Sequence, residues 1–234
     1  MILKSKFGQT GFTLVEMAIV LVIFGLILSA LLLPLRAQRE QAAQAQTINT
    51  LDNAKQALLG FAQANGRLPC PASGSTGIES PAVAGICNPQ VGFLPSITLG
   101  IQPANPQGFA IDAWNNRIGY AVTNSNAGAF VTSQGMSNLG ITTLTPDLKV
   151  CATSACGTAL IDNAVAVVYS TGATGAQGST GRADELENLD GDTVFVSHGI
   201  RLGSQSDPNE FDHLVTWISP YVLYNAMIQA GQLH

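Results

Sequence analysis

The chain of 234 residues is 46% hydrophobic and only 11% charged, too apolar for a globally disordered polymer and long enough for an ordinary globular domain. Ten Lys and Arg against fifteen Asp and Glu leave a formal charge of −5. That is the wrong sign for a protein that gains affinity by displacing phosphate counterions, so no nucleic-acid partner is expected. Aromatic residues make up 6%, and 24 Gly with 11 Pro mark a loop-rich body rather than a purely helical one.

Near the N-terminus, residues 17–33 carry a single polar side chain, Ser29, and the apolar run extends back to Phe12 and on to Leu35. About 24 residues of helix at ~1.5 Å each reach about 36 Å, enough to cross a hydrocarbon core about 30 Å thick. A cleaved secretory signal has a core of roughly 7 to 15 residues and a small-x-small site after it. This run is longer and ends at Pro34-Leu35-Arg36, so a retained membrane anchor is expected. Lys4 and Lys6 precede it and Arg36 and Arg39 follow, a bias toward a cytoplasmic N-terminus too small to fix the orientation by charge alone. Glu16 stands at the start of the run. An unpaired carboxylate near the bilayer centre costs about 2.5 to 3.5 kcal/mol on insertion scales. Position alone leaves two readings open: a carboxylate solvated at headgroup level, or one that meets a cationic partner.

Residues 11–16 read Gly-Phe-Thr-Leu-Val-Glu behind a short basic leader and ahead of the apolar helix. This closely resembles the processing motif of type IV prepilins and type II secretion pseudopilins. The resemblance implies that a prepilin peptidase cuts between Gly11 and Phe12, removes residues 1–11 and methylates the new amine of Phe12. It implies a single-pass inner-membrane precursor, lodged in lipid with its N-terminus cytoplasmic and its head periplasmic. An assembly platform then packs that precursor into a filament with other pilin or pseudopilin subunits. Gly25 and Pro34 match the glycine inside that family's helix and the proline towards its end, and are expected as kink positions. Cleavage places an ammonium on Phe12 about 6 Å, one helical turn, from Glu16, where a carboxylate also suits the helix dipole. In the family, the Glu pairs with the amine of a neighbouring subunit, and Glu16 is expected to do the same. Losing Lys4 and Lys6 takes the formal charge to −7.

Residues 36–65 are rich in Ala, Gln and Leu, with Ile48, Leu51, Leu58 and Ala62 at helical spacing, so the helix is expected to continue as a stalk with Pro34 as a kink and Gly66 as its end. Its 48–62 face is expected to pack on the exported head, residues 66–234. Residues 67–107 read as an irregular connection. Strand-like runs at 109–113 and 118–123 suggest a hairpin, and further strands are expected at 164–170, 193–198 and 213–218. The first of these is almost wholly apolar and therefore central. Residues 171–181 form a Gly and Thr-rich loop, and Ser219-Pro220 opens a short helix that Gly231 ends. The phrase from Asp112 to Tyr120 also resembles the D-x-W-x-N turn of many pseudopilins, and residues 211–233 resemble the end of large minor pilin-like proteins. The expected architecture is α+β: a long N-terminal membrane-spanning helix (residues 12–35, then 36–65) packed on an antiparallel sheet, with disulfide-stapled loops and a short C-terminal helix.

Four cysteines, Cys70, Cys87, Cys151 and Cys156, all lie in the head, as suits a disulfide-permissive periplasm. Of three pairings, Cys70 with Cys87 and Cys151 with Cys156 are preferred, because each closes a local Gly or Pro-rich loop. Zinc is the alternative, but no second Cys or His pair stands at ligand spacing. Eight of the fifteen acids fall between Asp184 and Asp212. Asp190, Asp192 and Asp212 are candidate calcium ligands, since several pseudopilins hold calcium in such loops; a solvated acidic loop is the other reading. No cofactor is required. The sequence holds no G-x-S-x-G elbow, P-loop, G-x-G-x-x-G or H-E-x-x-H, so no catalytic residues and no enzymatic activity are expected. The expected function is that of a minor pilin or pseudopilin. The alternative is a filament-borne or membrane-anchored adhesin whose Gly-rich and acidic loops bind a surface or cargo.

Overall fold

The structure, a computed structural model, describes residues 13–175, 182–201, 203 and 207–234, and the side chains of all of these except 29–36. The chain divides into two compact units, residues 1–43 and 44–234. Helix α1 (Leu14–Asn65) contributes to both and runs across Gly25 and Pro34. It ends as expected at Gly66, whose φ of +66° turns the backbone left-handed while its N–H still reaches the Ala62 carbonyl at 2.8 Å.

In the first unit the described apolar side chains of α1 are exposed, from Leu14 at 89% to Leu28 at 46%. Among the described residues no helix is long and apolar enough to cross a membrane. The described stretch 14–28 is 15 residues long, Glu16 and Gly25 among them, fewer than the about 20 that a span needs. The rest of the expected span, Phe12 and the side chains of 29–36, lies outside the described residues, as do the leader and the loop residues 176–181.

Among the described residues the second unit adds seven strands: β1 (Val91–Phe93), β2 (Gly119–Val122), β3 (Leu148–Cys151), β4 (Ala159–Ala164), β5 (Ala166–Ser170), β6 (Val194–Val196) and β7 (Leu214–Ile218). Its further helices include α2 (Ala183–Glu187) and α3 (Pro220–Gln229). A four-stranded antiparallel sheet has the order β1-β2-β5-β7, and β5 is central, as its apolar run predicts. A second sheet has the order β4-β3-β6, with β3 antiparallel to β4 and parallel to β6.

Strand alternation builds two cores. Tyr120, Val122, Ala166, Val168 and Ile218 share one core with Leu51, Ala54, Leu58 and Ala62 of α1 and with Leu223 and Met227 of α3. Ala121, Val167 and Tyr169 belong to a second core with Leu148, Val150 and Phe195 of the other sheet. The central sheet is therefore buried on both faces, which accounts for the unbroken apolar sequence of β5.

Three expectations need correction. Ile48 is 47% exposed and borders a cavity of about 270 Å³ with Leu51, Asp52, His198, His213 and Leu214, whereas Ala54 takes a place in the core. The expected hairpin is cut short: Asp112 N–H donates to the Asn116 carbonyl and Ile118 N–H to the Ala110 carbonyl, both at 2.9 Å, across the antiparallel Ile111 to Arg117 bridge, but residues 109–113 form no continuous strand and β2 pairs with β1 and β5. The second sheet was not anticipated, and its β3 to β6 pair makes the head partly parallel.

The two disulfides join Cys70 to Cys87 and Cys151 to Cys156, with Cα atoms 5.4 and 5.1 Å apart. The first loop is fastened to the helix end by Arg67, whose guanidinium donates to both oxygens of Glu79 at 2.9 Å, and the same carboxylate accepts the Cys70 N–H at 3.2 Å.

Gly119 is required by packing, because the Tyr169 ring lies directly against it, where an added methyl would sit 2.2 Å from a ring carbon. Gly119→Ala is predicted to lower stability by about 1–3 kcal/mol through overpacking. Thermal unfolding of the full chain in detergent should show the loss, and adding Tyr169→Leu should restore part of it.

Candidate functional site

Gly11 and Phe12 lie outside the described residues, but the next turn is defined. Glu16 Oε2 accepts the Thr13 N–H at 3.1 Å and the Thr13 hydroxyl at 3.0 Å, while Thr13 Oγ1 accepts the Glu16 N–H at 3.2 Å. This is a capping box: Thr13 sits at the N-cap and Glu16 three residues on. Backbone groups at a helix start lack intrahelical partners, and this reciprocal pair satisfies two of them. Glu16 therefore has a local role that its charge alone did not suggest, although the T-x-x-E spacing in Thr13-Leu14-Val15-Glu16 signals it.

The second feature is the turn from Asp112 to Asn116. Asp112 is buried, and its carboxylate accepts the Trp114 N–H at 2.9 Å, the Asn116 N–H at 2.7 Å and the Ser170 hydroxyl at 2.6 Å. The Asn116 amide donates to the Gly172 carbonyl at 2.7 Å, and the Ala113 N–H reaches Thr47 Oγ1 of α1 at 3.2 Å. One carboxylate thus ties the turn to the end of β5, and the turn in turn meets α1. These side-chain bonds add to the backbone bonds across the turn, Asp112 N–H to the Asn116 carbonyl at 2.9 Å and Asn115 N–H to the Asp112 carbonyl at 3.1 Å.

The acid-rich segment separates into two groups. Glu187, Asp190 and Asp192 offer carboxylate oxygens within 4.8 Å of one another near the surface. Burial raises the Glu187 pKa, and Asp190 and Asp192 push it further in the same direction. Oxygen donors of this kind suit a hard cation, which takes about 6 to 8 of them. Asp190 and Asp192 also cap their own loop, accepting the N–H groups of Asp192 at 3.1 Å and Val194 at 2.6 Å. Asp212, grouped with them as a candidate ligand from sequence, belongs to the other group, with Glu185 and His213.

That second group is buried. Arg182 pairs with Glu185 at 3.3 Å and with Glu210. Glu185 Oε1 accepts the Asp212 N–H at 3.0 Å, and Asp212 accepts the N–H and hydroxyl of Thr174 at 2.7 and 3.1 Å. The amide of Asn188 lies between His213 Nδ1, at 3.2 Å, and the Val196 carbonyl, at 3.0 Å. Burial pushes the Asp212 pKa up to about 6, with the adjacent Glu185 carboxylate adding to the rise against the Thr174 hydrogen bonds. Burial likewise pushes His213 down to about 4.

These two shifts oppose each other in the stability of the head. Asp212 holds its proton more tightly in the folded state, so its contribution is lost as pH rises from about 4 to 6. His213 releases its proton more readily in the folded state, so its contribution is gained as pH rises from about 4 to 6.5. Stability is predicted to be nearly level across this window. Urea midpoints of the full chain in detergent should rise with pH in Asp212→Asn, where only the histidine contribution remains, and fall with pH in His213→Gln. Level profiles in both variants would contradict the assignment.

The family model for the prokaryotic N-terminal methylation motif matches residues 6–32. No curated protein and no solved structure gives a significant match. The matched span contains Gly11, Phe12, Glu16 and the first part of the apolar helix that the capping box opens. The chain therefore carries, at its N-terminus, the prepilin-type methylation motif of the type IV pilin and pseudopilin family.

Proposed function

We propose that this chain is a structural subunit, a minor pilin or pseudopilin, of a type IV pilus or type II secretion filament. The observation that carries the reading is the methylation motif at residues 6–32, heading a helix whose apolar side chains from Leu14 to Leu28 have no cover within their own unit. Such a surface needs lipid or other apolar helices around it. In this reading residues 12–35 anchor the precursor in the inner membrane with the head in the periplasm. The peptidase removes residues 1–11, and an assembly platform moves the helix from lipid into a bundle of subunits. The chain contributes binding surface and geometry, with no catalytic step of its own. A head of about 170 residues beyond α1 supports a low-copy position in the filament.

Within the filament core, the new amine on Phe12 and the carboxylate of Glu16 neutralise each other between neighbours. Removing one member of a buried ion pair costs about 3–5 kcal/mol, because the survivor stays charged and unpaired. Glu16→Val is predicted to leave leader removal intact while cutting recovery of the chain in sheared or detergent-resistant filaments more than about tenfold. Full incorporation of the Glu16→Val chain would contradict the reading.

A further inference from the structure

A cavity of about 470 Å³ opens beside the second core of the head, within the range of about 300–1,000 Å³ that small-ligand sites occupy. Val91 and Phe93 of β1, Tyr169 of β5 and Leu189 ahead of β6 form its apolar walls, with Arg117 and Thr171 alongside. Among the described residues that line it, Arg117 is the one that carries a charge. Its guanidinium is stacked, 4.3 Å from the centre of the Phe109 ring and 5.2 Å from that of Phe93, and the two rings meet edge to face at 5.3 Å. Stacking of this kind fixes the plane of a group rich in N–H donors.

The donors around the cavity are largely unused. Among the described residues Arg117 forms no ion pair, and its hydrogen bond is to the Gly74 carbonyl at 3.3 Å. Asp112, the nearest carboxylate in sequence, is taken up by the Trp114 and Asn116 N–H groups and the Ser170 hydroxyl. Asp190 and Asp192, which follow Leu189, accept N–H groups of their own loop. Tyr169 is only 7% exposed, its ring set against Gly119 and 5.6 Å from that of Phe195, yet its hydroxyl has no hydrogen-bond partner among the described residues. Burial pushes the Tyr169 pKa up to about 12, with Asp190 adding to the rise, so the hydroxyl keeps its proton and can donate. A polar group so deeply buried ordinarily has a partner.

We propose that this cavity binds a small organic carboxylate, its charged end held by Arg117 and the Tyr169 hydroxyl and its apolar body lying against Val91, Phe93 and Leu189. A carboxylate presents two acceptor oxygens in the plane that a guanidinium fork matches, and it supplies the counter-charge that Arg117 lacks. A cationic ligand would meet Arg117 as a like charge. A neutral one would leave that charge unpaired beside an apolar surface it covers. The walls are already in place, because β1 and β5 belong to one sheet and the stacked rings hold Arg117, so little order has to be gained on binding. Ligand binding by the head is a function separate from assembly through α1, and it does not depend on the filament reading.

The test is a titration of the full chain in detergent with phenylacetate and 4-phenylbutyrate, and with phenethylamine and benzyl alcohol as cationic and neutral counterparts. Binding is followed by NMR of isotope-labelled tyrosine rings and arginine side chains. The expected result is a saturable shift at Tyr169 and Arg117 with at least one of the two carboxylates, about tenfold tighter than with the amine or the alcohol. Arg117→Gln, followed at Tyr169, should weaken binding about tenfold, and Tyr169→Phe, followed at Arg117, by a smaller factor. Tyr169→Phe keeps the ring and its packing, so the proposal stays open to refutation even if Arg117→Gln disturbs the fold. No saturable shift with either carboxylate, equal affinity for the amine or the alcohol, or unchanged affinity in both variants would overturn the proposal. The filament reading stands under any of these results.

Discussion

The fold of the head depends on covering the apolar stripe formed by Leu51, Ala54, Leu58 and Ala62 on α1. Each large aliphatic side chain fully removed from water contributes about 1.5–3 kcal/mol. The strands β2, β5 and β7 provide the cover with Tyr120, Val122, Ala166, Val168 and Ile218. This arrangement leaves Ala121, Val167 and Tyr169 on the opposite face, and the second sheet answers them with Leu148, Val150 and Phe195. The loops follow from the same constraint. The Cys70–Cys87 loop is fixed where α1 ends, the Asp112 turn where β5 ends, and α3 fills the first core with Leu223 and Met227.

The two parts of α1 differ in composition and in cover. In the head unit Leu51, Ala54, Leu58 and Ala62 are buried; in the first unit, residues 14–28 leave their apolar side chains exposed behind a capping box. A soluble monomer rarely leaves so much contiguous apolar surface uncovered, which supports the proposal that lipid and other subunits surround the exposed part. The polar residues of the head show a parallel division. Glu185, Arg182, Glu210 and Asp212 are buried in a network that fastens α2 to the chain leading into β7, whereas Glu187, Asp190 and Asp192 lie nearer the surface.

Features set by local chemistry were legible in the sequence. Gly66 ends α1 because only a left-handed residue closes that turn, Ser219-Pro220 opens α3, and each disulfide joins cysteines close in sequence. The central strand was legible because burial on both faces leaves no polar positions. In the second sheet β6 lies within the expected strand 193–198, while β3 and β4 were not legible. Ala159–Ala164 contains Asp162 and Asn163 and has little intrinsic strand preference, so its pairing with β3 is decided by tertiary packing. Residues 109–113 carried a strand pattern, but Asp112 drew the following backbone into a turn. At the candidate site, the motif around Gly11 and Glu16 was legible as a whole, and the T-x-x-E spacing of Thr13 and Glu16 carries the signal of the capping bonds between them. The division of Asp212 from Asp190 and Asp192 depends on the path of the chain after β6, which no local signal fixes.

The central claim is that residues 1–11 are a leader and Phe12 the working N-terminus. Intact mass and N-terminal sequencing of the protein from its native membranes, with and without a prepilin peptidase, test it most directly. The account predicts a chain beginning at N-methylated Phe12 only when the peptidase is present. A chain that still begins at Met1 in its presence, or one cut beyond Leu35, would contradict it.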